Sequence, residues 1–466
     1  MIAQRRFTQE DQTLFARLSG DWNPLHVDPI AARRLLFGAT VVHGVHALLW
    51  ALDAATALTQ GARIRSLQCK MIAPLLVESD ITLSLTHENG RLQIILACQG
   101  GGPALSILAE TLEAPPVRGA IIEAYEFPQT MPDELPASTI KDCHGSLEPA
   151  LDLDLARRLF PSLAGSMPPG HLAALLASTR LVGMHCPGLH SIFSALEMTF
   201  ADQDGNAPLA WRVSKFSPLL SLVQMAVENE GLQGKLTAFL RPPPRPQPGL
   251  DDLAKTLSPR RYGERRALII GGSRGLGELA AKMIALGGGD VRLTYRLGQG
   301  DAERVLSEIG GKAEGHAALP WDAATESAAA LVERLEGWQP THLYYFATPP
   351  IHAHGGSFFD MRRFTHFAQV YANGLYQLVS GLAGDAPLTV VAPSTVFIDE
   401  LPEGSVDYAA AKAAAEVLMA AMAKKWRHVA LHAPRLPRLE TDQNGSILGN
   451  ATGAGNIQAM VRLLEL

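Results

Sequence analysis

Cysteine and basic charge are both scarce in this 466-residue sequence. The four cysteines show no paired spacing, which argues against a disulfide framework or a zinc site and favours a reducing compartment; they are Cys69, Cys98, Cys143 and Cys186. The formal net charge is −6, so the chain lacks the basic excess that binds nucleic acid. We therefore expect neither a disulfide-rich protein nor a nucleic-acid partner.

The sequence also lacks the apolar segments of a leader or a membrane anchor. No apolar stretch follows Arg5 and Arg6, as it would in a secretory signal peptide. The apolar run from Val45 to Leu58 is shorter than the roughly 20 residues that cross a bilayer, and His46 and Asp53 interrupt it. The cytoplasm is therefore the expected location, and a membrane is not an expected partner.

The composition is typical of a globular protein with several domains. Hydrophobic residues make up 47% of the chain and charged residues 18%, and the length favours roughly two to four domains. Two proline-rich segments, residues 115–145 and 242–264, are expected to be extended connections, because proline disfavours helices and central strands. This places the folded parts at residues 1–114, 146–241 and 265–466.

An aspartate and a histidine stand close together in the segment SGDWNPLHVD, residues 19–28. Pro24 fixes its own φ and moves Asn23 away from helical backbone, so we expect a stiff loop and not a regular helix. Such a loop can aim Asp21 and His26 at one small volume, where one group removes a proton and the other delivers one. The alternative interpretation is a helix cap beside a solvent-facing histidine.

A histidine and a glycine, His43 and Gly44, precede the apolar run. The run is hydrophobic nearly all round, which predicts a helix buried by its surroundings. Gly44 at the start of that helix would direct free N–H groups and the positive end of the helix dipole into a pocket. This arrangement stabilises an oxyanion that forms on a carbonyl group.

These residues resemble the MaoC-like, or (R)-specific enoyl-thioester hydratase, branch of the hot-dog fold. The resemblance covers about residues 2–113 and is carried by Asp21, Asn23, Pro24, His26, Asp28, His43 and Gly44. It implies an antiparallel sheet wrapped around a buried helix. It also implies that Asp21 and His26 act on the water added to, or lost from, the 2,3-bond of an enoyl thioester, with the Gly44 N–H as oxyanion donor.

Residues 146–240 resemble a second hot-dog unit more weakly. Two helical segments, Leu153–Phe160 and Gly170–Ser178, precede four segments of strand character, which are Ser191–Phe200, Leu209–Val213, Leu219–Val227 and Leu232–Leu240. The expected fold is thus an α+β double hot-dog. Because the second unit has no Asp-x-Asn-Pro-x-His string, it is expected to complete the sheet and shape the acyl tunnel as a structural half. A homodimer is an open alternative, since hot-dog hydratases also work as dimers.

A metal site in the second unit is the remaining question for this region. His185, Cys186 and His190 stand close in sequence. Pro187 and Gly188 interrupt them, and no fourth ligand is near, so ordinary turn and core residues are the preferred interpretation. No metal is expected.

A glycine-rich turn, GGSRGLG at residues 271–277, lies between a short buried strand, Ala267–Ile270, and a helix, Glu278–Leu286. Gly271, Gly275 and Gly277 allow a tight turn and a close approach of the backbone to a pyrophosphate. Strand–helix alternation then predicts an α/β, Rossmann-type, doubly wound parallel sheet. The further strands are expected at Asp290–Tyr295, Ala313–Leu319, His342–Ala347, Leu388–Ala392 and His428–Ala433.

A tyrosine and a lysine, Tyr408 and Lys412, are four residues apart and would share one face of a helix. The ammonium group would lower the phenol pKa, so that the phenol can protonate a carbonyl oxygen as hydride arrives at its carbon. Ser394 follows a strand and could bond the same oxygen, and Thr395 could take its place. The alternative is a surface tyrosine and a solvated lysine.

Residues 265 to about 442 resemble the short-chain dehydrogenase/reductase family. The resemblance implies that Tyr408 is the general acid, that Lys412 lowers its pKa and touches the nicotinamide ribose, and that Ser394 anchors the carbonyl. It further implies that Asn373, in an expected helix Phe364–Leu382, supports a proton-relay water. The cofactor-binding positions are Gly271, Ser273, Arg274, Gly275, Leu276, Gly277, Arg296, Asp322, Ala347, Tyr408 and Lys412, with Asp322 contacting the adenine.

NADPH is the expected cofactor. No acidic residue ends the second strand of this domain; Arg296 stands there and Arg274 lies in the glycine loop. Two cations suit the 2′-phosphate that distinguishes NADPH from NADH. The chain departs from the family at Ile270, at the loop from Phe346 to Pro350, and at Arg435, but it keeps the acid–base residues.

The two halves together predict a bifunctional enzyme. A 3-oxoacyl-thioester reductase produces the 3-hydroxyacyl thioester that an (R)-specific dehydratase converts to the enoyl thioester. The substrate would be an acyl-CoA or an acyl-carrier-protein thioester. Two alternatives stay open: a hydratase fused to an inactive nucleotide-binding domain, and an acyl-thioester-binding scaffold without activity.

Overall fold

The computed structural model describes residues 3–58, 63–98, 101–113, 119, 121–244, 246–258, 260–351, 358–437, 439 and 456–466. The chain divides into two compact units, with the boundary between Pro243 and Pro244. The boundary lies inside the proline-rich run that the sequence singles out. Residues 115–118 of the expected first connection lie outside the described residues.

The described part of the first unit contains a ten-stranded antiparallel sheet. Its strands are β1 (Ala3–Arg6), β2 (Arg63–Met71), β3 (Asp80–Glu88), β4 (Arg91–Cys98), β5 (Pro103–Leu112), β6 (His144–Leu147), β7 (Ser191–Phe200), β8 (Leu209–Ser217), β9 (Leu222–Asn229) and β10 (Leu232–Leu240). Their order is β1-β3-β4-β5-β2-β7-β10-β9-β8-β6. Each half therefore has the same internal order, and the halves join where β2 pairs with β7.

Alternation of apolar and polar residues explains why these segments form strands with one buried face. In β4, Leu92, Ile94 and Leu96 are buried, whereas Arg91 and Gln93 are exposed, as expected when successive side chains point to opposite faces. The buried face packs in one hydrophobic core with two apolar helices. Each fully buried leucine in this core stabilises the fold by roughly 1.5–3 kcal/mol.

The helices of this unit are α1 (Gln9–Ser19), α2 (Pro24–Val27), α3 (Pro29–Ala32), α4 (Gly44–Leu58), α5 (Ala137–Ile140), α6 (Leu153–Leu159), α7 (Leu163–Ser166) and α8 (Pro169–Arg180). The two core helices are α4 and α8. A π-helical turn, Leu181–His185, continues α8. The second half of the unit thus has the helices-then-strands order expected from its sequence.

The second unit contains a six-stranded parallel sheet in its described residues. The strands are β11 (Arg266–Ile270), β12 (Asp290–Tyr295), β13 (Ala317–Pro320), β14 (His342–Tyr345), β15 (Leu388–Val391) and β17 (Val429–His432), and the short strands β16 (Ser394–Thr395) and β18 (Arg435–Leu436) form a separate parallel pair. The order β13-β12-β11-β14-β15-β17 reverses direction at β11. In doubly wound sheets the reversal opens a crevice at the carboxyl ends of the strands.

Apolar residues of β11 alternate between two separate clusters, which cover opposite faces of the sheet: Leu268 and Ile270 belong to one, Ala267 and Ile269 to the other. The helices that pack there are α9 (Leu250–Ala254), α10 (Gly275–Leu286), α11 (Gln299–Glu308), α12 (Ala328–Arg334), α13 (Met361–Ala368), α14 (Leu375–Leu382), α15 (Phe397–Glu400), α16 (Val406–Lys425) and α17 (Asn456–Leu464). A π-helical turn, Gln369–Gly374, joins α13 to α14.

No helix within the described ranges is long and apolar enough to span a bilayer.

Candidate functional site

A short, well-capped helix delivers the chain to Asp21. Thr8 and Asp11 form a capping box at the start of α1, which satisfies two backbone N–H groups that the helix leaves free. The helix ends at Gly20, whose left-handed conformation (φ 79°) turns the chain inward. A side chain at Gly20 would also meet Arg180 and Phe127 below 3.0 Å. The backbone therefore fixes where Asp21 enters the core.

Asp21 is buried, with 2% of its surface exposed. Its Oδ1 accepts a hydrogen bond from the Asn23 N–H (3.2 Å), and its Oδ2 accepts one from the Thr179 hydroxyl (2.6 Å). Burial raises the pKa of the Asp21 carboxyl, while the positive form of His26 and the Thr179 hydrogen bond act in the opposite direction. Asp21 is thus a carboxyl group that can hold a proton above its usual range.

His26 lies on a helical turn, which corrects the expectation of an irregular loop. Pro24 occupies the first position of α2, where a backbone N–H would make no hydrogen bond within the helix, so proline is well tolerated. The Asn23 side chain caps the turn by accepting a hydrogen bond from the Leu25 N–H. The His26 Nδ1 lies 2.7 Å from the Val41 carbonyl oxygen. Burial lowers the pKa of His26, so the neutral ring is favoured.

A third polar residue, His43, lies beside this pair. Its ring stacks on that of His26 with the centroids 4.0 Å apart. One oxygen of Asp21 and one ring nitrogen each of His26 and His43 lie within 4.8 Å of one another. Both nitrogens of His43, however, already face protein oxygens at 3.0 Å, those of the Gln12 side chain and the Asp21 carbonyl. A metal ion would have to displace those contacts.

Gly44 is the first residue of α4, as expected. A Cβ at this position would lie 2.3 Å from the Met71 sulfur, so the position accepts only glycine without movement of its neighbour. The first N–H groups of an α-helix have no intrahelical partner and carry positive partial charge. The helix thus presents donors on the side of the core where Asp21 and His43 lie.

The second half of the sheet contributes to this site, a role that the sequence did not reveal. The Asn23 amide donates to the Gly183 carbonyl (2.9 Å) and to two further carbonyls of the turn that follows α8. A Cβ at Gly183 would lie 2.1 Å from the Asp21 Oδ1. Thr179 and Gly183 therefore form one wall around the Asp21 carboxyl.

His185 and His190 pair with carboxylates and not with each other. The His185 Nδ1 lies 3.2 Å from Asp133, and the His190 Nε2 lies 2.9 Å from Glu134. Asp133 and Glu134 belong to the connection between the two halves, which runs along the segment that carries Asp21: the Phe127 carbonyl accepts from the Trp22 indole at 3.1 Å. The connection therefore holds the segment that carries Asp21 in place from the outer side of that segment.

The glycine turn of the second unit adopts the tight geometry expected for it. Gly271 has φ 80°, and a Cβ there would lie 2.9 Å from the Ala347 backbone nitrogen. A Cβ at Gly277 would lie 2.2 Å from the Gly271 carbonyl oxygen. Gly275, with φ 59°, faces open space and begins α10, with Leu276 next. The backbone there forms an open cradle at a helix N-terminus, where an anion binds favourably.

The other predicted cofactor positions lie in the glycine turn itself or just after β12 and β13. Ser273 is buried, Arg274 precedes α10, and Arg296 is exposed just beyond β12. Asp322 follows β13 and accepts from the Ala324 N–H (2.9 Å). Both Arg296 and Asp322 influence the pKa of His366, which burial lowers. The two charges therefore lie in one neighbourhood beyond the carboxyl ends of β12 and β13.

The structure places Thr395, and not Ser394, next to Tyr408. Burial raises the pKa of the Tyr408 phenol, and a hydrogen bond with Thr395 opposes that shift. The buried Ser394 hydroxyl has no hydrogen-bond partner of good geometry and approaches Glu416, whose pKa it helps to lower. Ser394 and Thr395 are consecutive residues of β16, so their side chains point in opposite directions.

Lys412 does not make the predicted contact with the Tyr408 phenol. Its Nζ donates to the Pro393 carbonyl (2.7 Å) and lies 4.0 Å from the centre of the Tyr371 ring. Burial lowers the pKa of Lys412 to about 7. No contact in the described part of the chain joins Lys412 to the Tyr408 hydroxyl, and the Tyr408 pKa is raised where the sequence predicted a lowered one.

Asn373 does not point to this site either. Its side-chain oxygen accepts from Gln377 at the surface (3.3 Å). Tyr371, two residues earlier in the same π-helical turn, is buried against Lys412 and Tyr408, and its hydroxyl bonds the Thr348 hydroxyl. Tyr371 is therefore a site residue that the sequence prediction missed. The position of Asn373 does not support the role predicted for it.

Comparison with known proteins agrees with the fold of the first unit. Residues 2–95 match the family described as MaoC like domain. The mitochondrial 3-hydroxyacyl-[acyl-carrier-protein] dehydratase of Arabidopsis thaliana is 49% identical over 41 residues, which are 9% of this chain. The chain covers 25% of that relative's length.

Solved structures similar to the chain include two bacterial proteins with bound NADP. A short-chain dehydrogenase of Burkholderia cenocepacia is 23% identical, with a TM-score of 0.37 over 40% of this chain and 78% of that one. A 3-oxoacyl (acyl-carrier-protein) reductase of Agrobacterium tumefaciens is 23% identical, with a TM-score of 0.36 over 41% and 77%. Residues 2–95 thus match the family described as MaoC like domain, and a unit with a parallel sheet follows in the same chain.

Proposed function

We propose that the chain is a bifunctional enzyme that acts on acyl thioesters. The first unit would be an (R)-specific enoyl-thioester hydratase and 3-hydroxyacyl-thioester dehydratase. The second unit would be an NADPH-dependent 3-oxoacyl-thioester reductase. The two reactions are chemically consecutive, because the 3-hydroxyacyl thioester made by the reductase is the substrate of the dehydratase.

The observation that carries the hydratase assignment is the shared volume of Asp21 and His26. A carboxyl group whose pKa is raised and an imidazole whose pKa is lowered lie within 4.8 Å of each other. A carboxyl group with a raised pKa can donate a proton at a pH where an imidazole with a lowered pKa can accept one. Such a pair therefore suits general acid and general base roles. The start of α4 lies at the same site and offers N–H donors to a thioester oxygen.

The proton transfers follow from the tautomer of His26. Because Nδ1 faces the Val41 carbonyl, it carries the hydrogen, and Nε2 has a free lone pair. In hydration, Nε2 takes a proton from water as its oxygen bonds to C3 of the enoyl thioester. The negative charge moves to the thioester oxygen at the Gly44 N–H, and the Asp21 carboxyl then delivers a proton to C2. A proton then passes from the His26 imidazolium back to the Asp21 carboxylate, which restores both groups, and dehydration reverses all of these steps.

We also propose that the ten-stranded sheet is a double hot-dog with one catalytic half. The identical strand order of its two halves supports this, as does the Thr179 and Gly183 wall that the second half supplies to Asp21. The corresponding parts are residues 1–114 and 146–241, joined by residues 115–145. Residues 242–264 then lead to the reductase at 265–466.

NADPH is the proposed cofactor of the second unit. The open space above Gly275 and the close contacts of Gly271 and Gly277 fit a pyrophosphate at the start of α10. Arg274 and Arg296 would hold the 2′-phosphate. When bound, the nicotinamide supplies the hydride; Tyr408 protonates the ketone oxygen, and Thr395 orients the Tyr408 hydroxyl.

One observation favours a second candidate, a hydratase with a nucleotide-binding domain that does not reduce ketones. Lys412 is held by the Pro393 carbonyl and the Tyr371 ring, away from the Tyr408 phenol. Without the ammonium group, burial leaves the phenol with a raised pKa. A domain in which Lys412 keeps these contacts would bind the nucleotide without lowering the phenol pKa.

Two assays on the full chain test the proposal. Hydration of crotonyl-CoA should be measured for the wild type, Asp21→Asn and Asp154→Asn, which makes the same change at an exposed site. Only Asp21→Asn should lose activity; equal activity in all three would leave an acyl-thioester-binding scaffold. Incubation with acetoacetyl-CoA and NADPH, with product masses, separates the bifunctional enzyme from the hydratase alone. The same assays with an acyl-carrier-protein thioester decide whether CoA or the carrier protein carries the acyl group. We place the enzyme in the cytoplasm, as a monomer or a homodimer.

A further inference from the structure

We propose that Thr179 is a positioning residue for Asp21. It belongs to the half of the first unit that has no Asp–His pair. The inference deepens the proposed hydratase function and rests on it. It gives the second half a direct part in the chemistry, beyond completing the sheet. The proposal concerns the hydroxyl group of Thr179 and not its bulk.

The contact between the two residues is short and shielded from water. The Thr179 Oγ1 donates to the Asp21 Oδ2 at 2.6 Å, and the two residues are 3% and 2% exposed. Among the described residues, the other carboxylate oxygen accepts a hydrogen bond from the Asn23 N–H alone, within the same segment. Thr179 therefore provides the one side-chain hydrogen bond to Asp21 recorded among the described residues. A hydrogen bond to an ionised group is among the stronger ones that proteins make.

The close approach of the two halves is built into the backbone. Thr179 and Gly183 are four residues apart and lie on one face of the continuous helix formed by α8 and its π-helical turn. A Cβ at Gly183 would lie 2.1 Å from Asp21, so glycine is needed for the carboxyl to reach Thr179. The Asn23 amide donates to the Gly183 carbonyl at 2.9 Å and holds the loop against this face.

The hydroxyl has two effects on Asp21. It fixes the rotation of the carboxyl group, because one oxygen is bound on each side. It also stabilises the ionised form and so opposes the rise in the Asp21 pKa that burial causes. The other titratable groups that face Asp21 are His26, His43 and His185, and none of them changes when Thr179 is replaced.

The test uses the full-length protein and three variants. Thr179→Val removes the hydroxyl at nearly constant shape, and Thr179→Ser keeps it. Ser178→Ala is the matched control, because the buried Ser178 hydroxyl on the same helix bonds only the Leu175 carbonyl. Two quantities are measured: the pH dependence of kcat/KM for crotonyl-CoA hydration, and the titration of Asp21 by carboxyl-carbon NMR of isotope-labelled aspartate, with the Asp21 signal identified by its loss in Asp21→Asn.

In Thr179→Val, the titration of Asp21 and the alkaline limb of the pH profile should move up by about one pH unit or more, because the ionised carboxyl loses a hydrogen bond. The kcat/KM at the pH optimum should nevertheless fall roughly tenfold or more, because the carboxyl group is no longer held in one rotation. Thr179→Ser and Ser178→Ala should both stay close to the wild type. The proposal is overturned if Thr179→Val titrates like the wild type, or if Thr179→Ser is impaired as strongly as Thr179→Val. A wild type that hydrates no thioester refutes the proposed function, and the NMR titration then still decides whether Thr179 controls Asp21.

Discussion

The Nδ1 of His26 lies 2.7 Å from the carbonyl oxygen of Val41. A carbonyl oxygen can only accept, so this contact fixes the hydrogen on Nδ1 and leaves the lone pair on Nε2. It also holds the plane of the ring, which stacks on His43. The Val41 carbonyl therefore determines that Nε2 is the nitrogen that acts as the base in the proposed reaction. The effects of side-chain substitutions near His26 can be interpreted with this tautomer.

Replacement of His26 by alanine should reduce kcat/KM for crotonyl-CoA hydration by about 10²–10⁴-fold, the usual contribution of a general base. The loss should appear in kcat, because the ring acts in the transition state and not in substrate binding. Steady-state kinetics on the full chain measure it. His87→Ala, at an exposed position of β3, serves as the control. A variant that keeps more than about a tenth of the wild-type rate would contradict the assignment.

The pH dependence of hydration should be bell-shaped. The active form carries neutral His26 and protonated Asp21, so acid stops the reaction by protonating the imidazole and alkali by ionising the carboxyl. Burial lowers the pKa of His26 and raises that of Asp21, so the acid limb should lie below the usual histidine value of about 6.5. The two midpoints belong to the coupled pair. An acid limb centred at or above that value would argue against His26 as the base.

The close approach at Gly183 can be tested by adding one methyl group. In Gly183→Ala, the Cβ would lie 2.1 Å from the Asp21 Oδ1 and 2.6 Å from Oδ2, so the carboxyl must move. A displacement near 1 Å costs about 10²-fold in rate. The hydration rate should fall by that order while circular dichroism shows a folded chain. Gly165→Ala is the control, because a Cβ there meets nothing within 4 Å; equal rates in the two variants would be the contrary result.

Local pattern was enough to predict much of the fold. The observed bounds of β7 and β10 coincide with the predicted segments Ser191–Phe200 and Leu232–Leu240, because their apolar spacing is a property of neighbouring residues. The Asp21 and His26 pair was also accessible, since both lie within one short segment. What local pattern could not provide is the partner of Asp21: Thr179 is 158 residues away and meets it only through the packing of α8.

The corrections in the second unit have a different physical origin. Ser394 and Thr395 are neighbours in a strand, and either spacing to Tyr408 looks acceptable in sequence, but only one of two successive side chains can face the helix that carries Tyr408. Asn373 lies in a π-helical turn, which widens the helix and rotates the residues within it. Tyr371 thereby takes the inward position. Neither the strand face nor the wide turn is visible in residue spacing.

A core histidine next to the site should make the protein sensitive to acid. His46 is fully buried, its two ring nitrogens have no hydrogen-bond partner among the residues that the structure describes, and its ring stacks on Phe15 at 4.6 Å. Burial lowers the pKa of His46 well below its usual value. The unfolded chain then binds a proton below about pH 6.5 that the folded chain does not, so stability is present above that pH and lost as the pH falls.

His46→Phe should therefore raise the thermal unfolding midpoint of the full chain at acid pH. The gain should grow by up to about 1.4 kcal/mol for each pH unit below about 6.5, because one pKa unit corresponds to that free energy, and it should shrink toward neutral pH. Thermal denaturation followed by circular dichroism at several pH values measures the difference. His87→Gln provides the control, because it removes a histidine at an exposed position. A gain that does not depend on pH would show that packing, and not protonation, is responsible.

Thr395 and Ser394 offer a comparison that tests the geometry of the reductase site. If the second unit reduces acetoacetyl-CoA with NADPH, Thr395→Val should lower kcat/KM by roughly tenfold or more, because it removes the hydrogen bond to the Tyr408 phenol. Ser394→Ala should have a smaller effect, since the Ser394 hydroxyl approaches Glu416 and not Tyr408. Oxidation of NADPH with each variant measures both. The reverse ranking would mean that β16 turns its other face to the substrate, and Ser394 would then be the carbonyl anchor after all.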